Sequence, residues 1–69
     1  MPDSVYKIVE VVGSSPKSWE DAAAAAVKRA SSALRDLRVA EVTAQDMQIQ
    51  NGKIKAFRIK LKLSFKMES

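Results

Sequence analysis

The stretch MQIQNGKIKAFRIKLKLSFKM, Met47 to Met67, decides the fold. Asn51-Gly52 separates two runs of alternating character, and both residues tolerate the positive φ of a type I′ turn, so the segment predicts a β-hairpin. Beyond the turn the alternation is nearly unbroken. Phe57, Ile59, Leu61, Leu63, Phe65 and Met67 share one face, while Arg58, Lys60, Lys62, Ser64 and Lys66 share the other. A period of two with one apolar side predicts a strand from Ile54 to Met67 that lays one face on a core.

Working back from the turn, Arg38 to Gln50 is the partner strand. Ala40, Val42 and Ala44 alternate in one phase, and Met47 and Ile49 continue in the other. A slip of one residue near Gln45-Asp46 predicts a β-bulge or a bend. Before it lies a helix. Ser18 stands at the N-cap with Asp21 three residues on, close to a capping box, and Glu20 and Asp21 put negative charge where the helix dipole favours it. Trp19, Ala22, Ala23, Ala26, Val27, Ala30, Ala33, Leu34 and Leu37 fall at helical spacing, and the helix is expected to run to about Asp36. Its five consecutive alanines, Ala22 to Ala26, give high propensity and a slim rod that another backbone can approach closely.

Ser4 to Val12 is rich in β-branched residues and predicts a first strand, with Gly13-Ser14-Ser15-Pro16-Lys17 as the turn that ends it. Val5, Val9 and Val11 lie on one side, Tyr6, Ile8 and Val12 on the other, and a strand apolar on both sides is covered on both. The order is β-α-β-β. Placing strand one beside strand three gives an α+β fold: a three-stranded antiparallel sheet of order 2-3-1 wrapped on one helix, in a single domain, residues 1–69.

Composition narrows the function. The 69 residues carry 12 basic and 8 acidic side chains, net +4, with 46% apolar residues, which is globular composition. With no cysteine and no histidine, disulfides, thiolate or imidazole metal sites and His-based triads are excluded. No nucleophile stands beside a base, so the expectation is a protein without catalysis. No apolar run is long enough to span a membrane, and Met1 to Tyr6 lacks the basic start and long apolar run of a signal peptide; a cytoplasmic location is expected. A core this small stabilises a chain by only about 3–5 kcal/mol, so oligomerisation is expected too.

Two features carry candidate chemistry. Lys53, Lys55, Arg58, Lys60, Lys62 and Lys66 form a basic stripe without an acidic residue between Met47 and Met67. Such a stripe suits phosphate, in nucleic acid or in a phosphorylated cofactor. Phe57 and Phe65, however, sit on the opposite strand face, where they cannot stack bases beside the cations. The stripe is therefore read first as a solvated face or as half of a subunit interface. A metal site could use only hard oxygen ligands, which means Ca²⁺ or Mg²⁺. One chain offers too few clustered carboxylates, but a symmetry axis multiplies each of them. Trp19, in the first helical turn, is read as a core or interface anchor.

At this point the residues resemble a known family. Val5-Tyr6-Lys7, Val11-Val12-Gly13-Ser14-Ser15-Pro16, the alanine-rich helix, Ala40-Glu41-Val42 and Leu63-Ser64-Phe65-Lys66-Met67 are similar to the dodecins over nearly the whole chain. The resemblance implies a homododecameric hollow shell in which the sheet wraps the helix. Flavin-binding dodecins place a Trp just before the segment that matches Ala40-Glu41-Val42, and a Gln in strand three that bonds the flavin ring. Here these positions are Val39 and Arg58. Val39 offers no aromatic plane, and Arg58 offers donors only and brings charge. Arg38-Val39-Ala40, Arg58-Ile59-Lys60-Leu61 and Ser64-Phe65-Lys66-Met67 look closer to a mycobacterial-type branch described as calcium-binding.

The expected function is therefore a non-catalytic, dodecin-like shell protein that binds or sequesters a small ligand, with calcium favoured over flavin. Glu41 and Asp46 are the oxygen ligands chosen on chemical grounds. The alternatives are storage of flavin or a phosphorylated cofactor, and a basic nucleic-acid-binding module.

Overall fold

The structure, a computed structural model, describes residues 3–67; the ends of the expected 1–69 domain lie outside them. The elements are β1 (Tyr6–Ser15), α1 (Trp19–Ala33), β2 (Leu37–Gln50) and β3 (Lys53–Lys66). The sheet order is β1-β3-β2, with β3 antiparallel to both neighbours. Asn51 and Gly52 adopt φ of 53° and 74°, the left-handed pair that a type I′ turn requires.

Strand one differs from expectation. Gly13, Ser14 and Ser15 do not end it; they continue the ladder, opposite Ile59, Arg58 and Phe57. The turn starts later, where the Lys17 N–H donates to Ser15 Oγ at 3.0 Å. Gly13 is needed for space, not for a bend. A Cβ built on it lies 2.2 Å from the Ala22 carbonyl oxygen and 3.0 Å from the Ala26 Cβ. The glycine and the alanines thus let β1 and α1 meet at backbone distance.

The helix begins as expected. Ser18 is extended, and its hydroxyl accepts the Asp21 N–H at 3.0 Å. It ends at Ala33 and not near Asp36, because Leu34 turns extended and Asp36 takes a φ of 55°. That left-handed residue turns the chain into β2, and its carbonyl accepts the Lys66 N–H at 3.0 Å.

The bulge in β2 also falls elsewhere. Val42 pairs with Leu61 and Ala44 with Lys60, so the extra residue is Thr43, and Ala44 already belongs to the second phase. The Thr43 hydroxyl donates to the Lys60 carbonyl at 3.2 Å, giving a partner to a group beside the interrupted ladder. A second irregularity skips Lys55, between the Gln48–Ala56 and Ile49–Ile54 pairs. Ala44–Gln48 is consequently displaced by one residue as a block against Ala56–Lys60.

Ile59, Leu61 and Leu63 of β3 are buried with Ala22 and Ala30 of α1, and Val11, Trp19, Val27 and Leu37 pack around them. Trp19 meets Phe57 edge-on at 5.0 Å between ring centroids, and its Nε1–H donates to the Asp46 carbonyl at 3.1 Å. It anchors the core, as the sequence suggests. Among the described residues no element lies over the opposite face of the sheet.

Candidate functional site

The uncovered face is best described by its cross-strand rows, because directly opposed residues of antiparallel strands share a side. From one end these rows are Tyr6–Lys66, Ile8–Ser64–Val39, Glu10–Lys62–Glu41, Val12–Lys60–Ala44 and Ser14–Arg58–Asp46. The basic stripe is thus not a continuous cationic track. Glu10 and Glu41 flank Lys62, and Asp46 takes Arg58. Phe57 and Phe65 point to the helix side, paired with Met47 and Leu37.

All four residues singled out in the sequence, Val39, Glu41, Asp46 and Arg58, lie on this face. Asp46 and Arg58 meet. Arg58 Nε donates to Asp46 Oδ1 at 2.7 Å and the terminal nitrogen donates to Oδ2 at 3.0 Å, a bidentate fork. Both side chains remain 42% exposed. The hydrogen bond from Arg58 holds the Asp46 carboxyl below its ordinary pKa, against a smaller opposing effect of burial, and nearby Lys60 adds to the lowering. The same bond raises the Arg58 guanidinium above its ordinary value.

The other combinations stay apart within one chain. Glu41 and Asp46 stand on rows four β3 residues apart, about 13 Å at the usual strand rise. Val39 and Arg58 stand six β3 residues apart, about 20 Å. Val39 is 56% exposed and offers the open face an isopropyl group, with no aromatic plane. Among the described residues no three carboxylates gather as a metal cluster. One chain alone does not fit an enclosed Ca²⁺ ion, whose 6–8 oxygen ligands need several carboxylates at once. Glu10 had no role in the sequence reading. Only the ladder register, which places it beside Lys62 in line with Glu41, reveals it.

Two further surfaces are open. A groove of about 580 Å³ runs between β1 and α1, lined by Val11, Gly13, Ala26, Arg29, Ala30 and Leu34 among others. At the hairpin end Met47, Ile49 and Ile54 are exposed. Among the described residues no helix is long and apolar enough to cross a membrane.

A helix cradled by a three-stranded β-α-β-β sheet with one open charged face is the architecture of the dodecins. The dodecin family profile matches residues 5–68, and the chain belongs to that family. Within it, the chain is 55% identical over 65 residues to calcium dodecin of Mycobacterium tuberculosis, covering 93% of this chain and 90% of that protein. A crystal structure of that calcium dodecin, described as having a novel calcium-binding site, superimposes with a TM-score of 0.83, over 94% of this chain and 93% of that one. The dodecin of Streptomyces coelicolor, 40% identical, superimposes with a TM-score of 0.93 over 100% of this chain and 99% of its own.

Proposed function

We propose that this chain is a non-catalytic subunit of a cytoplasmic homododecameric shell that binds a divalent cation, calcium first, at carboxylates contributed by several chains. The observation that carries the reading is the 55% identity with calcium dodecin. The geometry supports an intersubunit site, since among the described residues no three carboxylates of one chain gather around an ion. Glu41 and Asp46 are the ligands proposed, both on the open face. Glu41 forms no ion pair among the described residues, whereas Asp46 is shared with the Arg58 fork.

Native mass spectrometry of protein purified without added ligand, followed by calorimetric titration with Ca²⁺, tests both parts. A twelve-copy assembly that takes up calcium, with affinity weakened by Glu41→Gln, is the expected result. A monomer or dimer refutes the shell, and a dodecamer indifferent to calcium refutes the ligand.

Storage of flavin or a phosphorylated cofactor is the second reading, favoured by family membership and by Arg58 and Lys60 on one face. It is weakened by Val39 and by the pairing of Arg58 with Asp46. Restoring the aromatic plane and the amide with Val39→Trp and Arg58→Gln is expected to produce flavin binding, visible as quenched flavin fluorescence. A folded double variant blind to flavin would show that these positions do not form the site. The nucleic-acid reading fits the structure least, because carboxylates interrupt the stripe and the aromatics face the helix.

A further inference from the structure

We propose that Asn51 is a site of spontaneous deamidation, and that the ladder irregularity at Lys55 confines its effect to the hairpin tip. The chemistry needs only the chain and water. The Gly52 amide nitrogen gives up its proton and bonds to Asn51 Cγ. The bond from Cγ to the carboxamide nitrogen breaks, and that nitrogen leaves as ammonia. Water then opens the resulting succinimide at one carbonyl or the other, giving aspartate or isoaspartate. A following glycine favours the attack, because no side chain crowds its nitrogen.

Three observations point to this position. Asn51 is the single asparagine of the chain, and Gly52 follows it. The tip is open: every residue from Met47 to Lys55 is exposed, and a Cβ built on Gly52 meets nothing within 4 Å. Among the described residues no side-chain hydrogen bond holds the Asn51 carboxamide. The third is the ladder. Closing the ring requires rotation about the Asn51 Cα–C bond, out of the left-handed turn, so the tip must open first. Only the pairs Gln50–Lys53 and Ile49–Ile54 lie between the turn and the irregularity that skips Lys55. Ile49 and Ile54 are 58% and 51% exposed and anchor the tip weakly. Opening so short and so exposed a segment is among the least costly motions of a fold.

The two products diverge. Asp-Gly suits a type I′ turn as Asn-Gly does, so aspartate keeps the hairpin and lowers the net charge of +4 by one. Isoaspartate routes the main chain through the side-chain methylene. A two-residue loop cannot take up that extra atom and still hold the register of the two tip pairs. The ladder is already interrupted before Gln48–Ala56, and the loss stops there.

The test keeps the full chain, in the oligomeric state in which it purifies, in neutral buffer at physiological temperature beside a synthetic peptide of residues 48–55. Both are followed by peptide mass mapping with fragmentation. A gain of one mass unit at Asn51, at a rate within about tenfold of the peptide's, is the expected result, since the opening is cheap. A slower rate refutes the proposal. Asn51→Gly retains a pair that suits the turn but cannot form the ring, and it should show no gain. An equal gain in that variant would refute the proposal too. In the isoaspartyl fraction, separated by chromatography, hydrogen exchange should quicken over residues 49–54 and stay unchanged over 56–66. Quickening beyond Ala56 would overturn the role given to the irregularity at Lys55.

Discussion

Asp46 gathers contacts from three elements: its own strand, the Arg58 fork on β3 and the Trp19 indole on α1. Its carboxyl pKa is lowered in the folded state, so the pair contributes stability that is fully present above the unfolded aspartate value, about 3.9. That stability is lost as pH falls through the depressed folded value. Acid unfolding of the parent and Asp46→Asn should therefore differ by a constant margin from neutrality down to about pH 5, and the curves should converge only in stronger acid. Because both side chains are well exposed, salt should narrow the margin at every pH. A margin that grew on acidification would contradict the assignment. Val39 and Arg58 were legible from the sequence as departures from the flavin pattern. The ion pair was not, since it depends on a register that residue spacing alone leaves open.

Where β1 lies on α1, the contact depends on what is missing at Gly13. A single methyl group there would overlap the Ala22 carbonyl, which is backbone and cannot rotate aside. Gly13→Ala is expected to destabilise the fold by at least about 1–3 kcal/mol, read as a lowered thermal midpoint at fixed protein concentration. Thr43 is the opposite case. Deleting it sets Val42 and Ala44 opposite Leu61 and Lys60 in an unbroken ladder, so the variant should keep the Asp46–Arg58 pair and still assemble by native mass spectrometry. The elements themselves were readable because period and turn chemistry agree: the Asn51-Gly52 hairpin, the Ser18 cap and the alternation of β3 are all where the residues put them. Three placements were not, the helix end at Ala33 in place of Asp36 among them. Gly13-Ser14-Ser15 looks like a turn by composition, but it continues the strand because the helix needs a residue without a side chain beside it. The phase slip in β2 was visible in kind, yet polarity alone cannot distinguish Thr43 from Gln45-Asp46 as its seat.

As a whole the chain is more open than a compact monomer of its length. Its radius of gyration is 14.3 Å, against about 11 Å for a compact chain of this length. Its accessible surface is 5445 Å², against about 4,300 Å² for a folded monomer of this mass. The molecule measures 54 × 20 × 14 Å, and the hairpin extends well past a helix only 15 residues long. Ile8, Val12, Val39, Met47, Ile49 and Ile54 are all more than 40% exposed. Such a shape leaves apolar surface that the copies of the proposed shell would cover. The thermal midpoint should therefore rise with protein concentration, as unfolding coupled to dissociation requires. A midpoint independent of concentration over a hundredfold dilution, about the range that such coupling needs to show itself, would mean that the lone chain is stable.

The indole of Trp19 has a use beyond anchoring the helix. It is the single tryptophan of the chain, and its ring nitrogen is bonded to the peptide group of the residue that Arg58 grips. The protein thus carries its own optical probe at that position, and loosening of the Asp46 peptide group should register as a shift in ultraviolet emission, with no label attached.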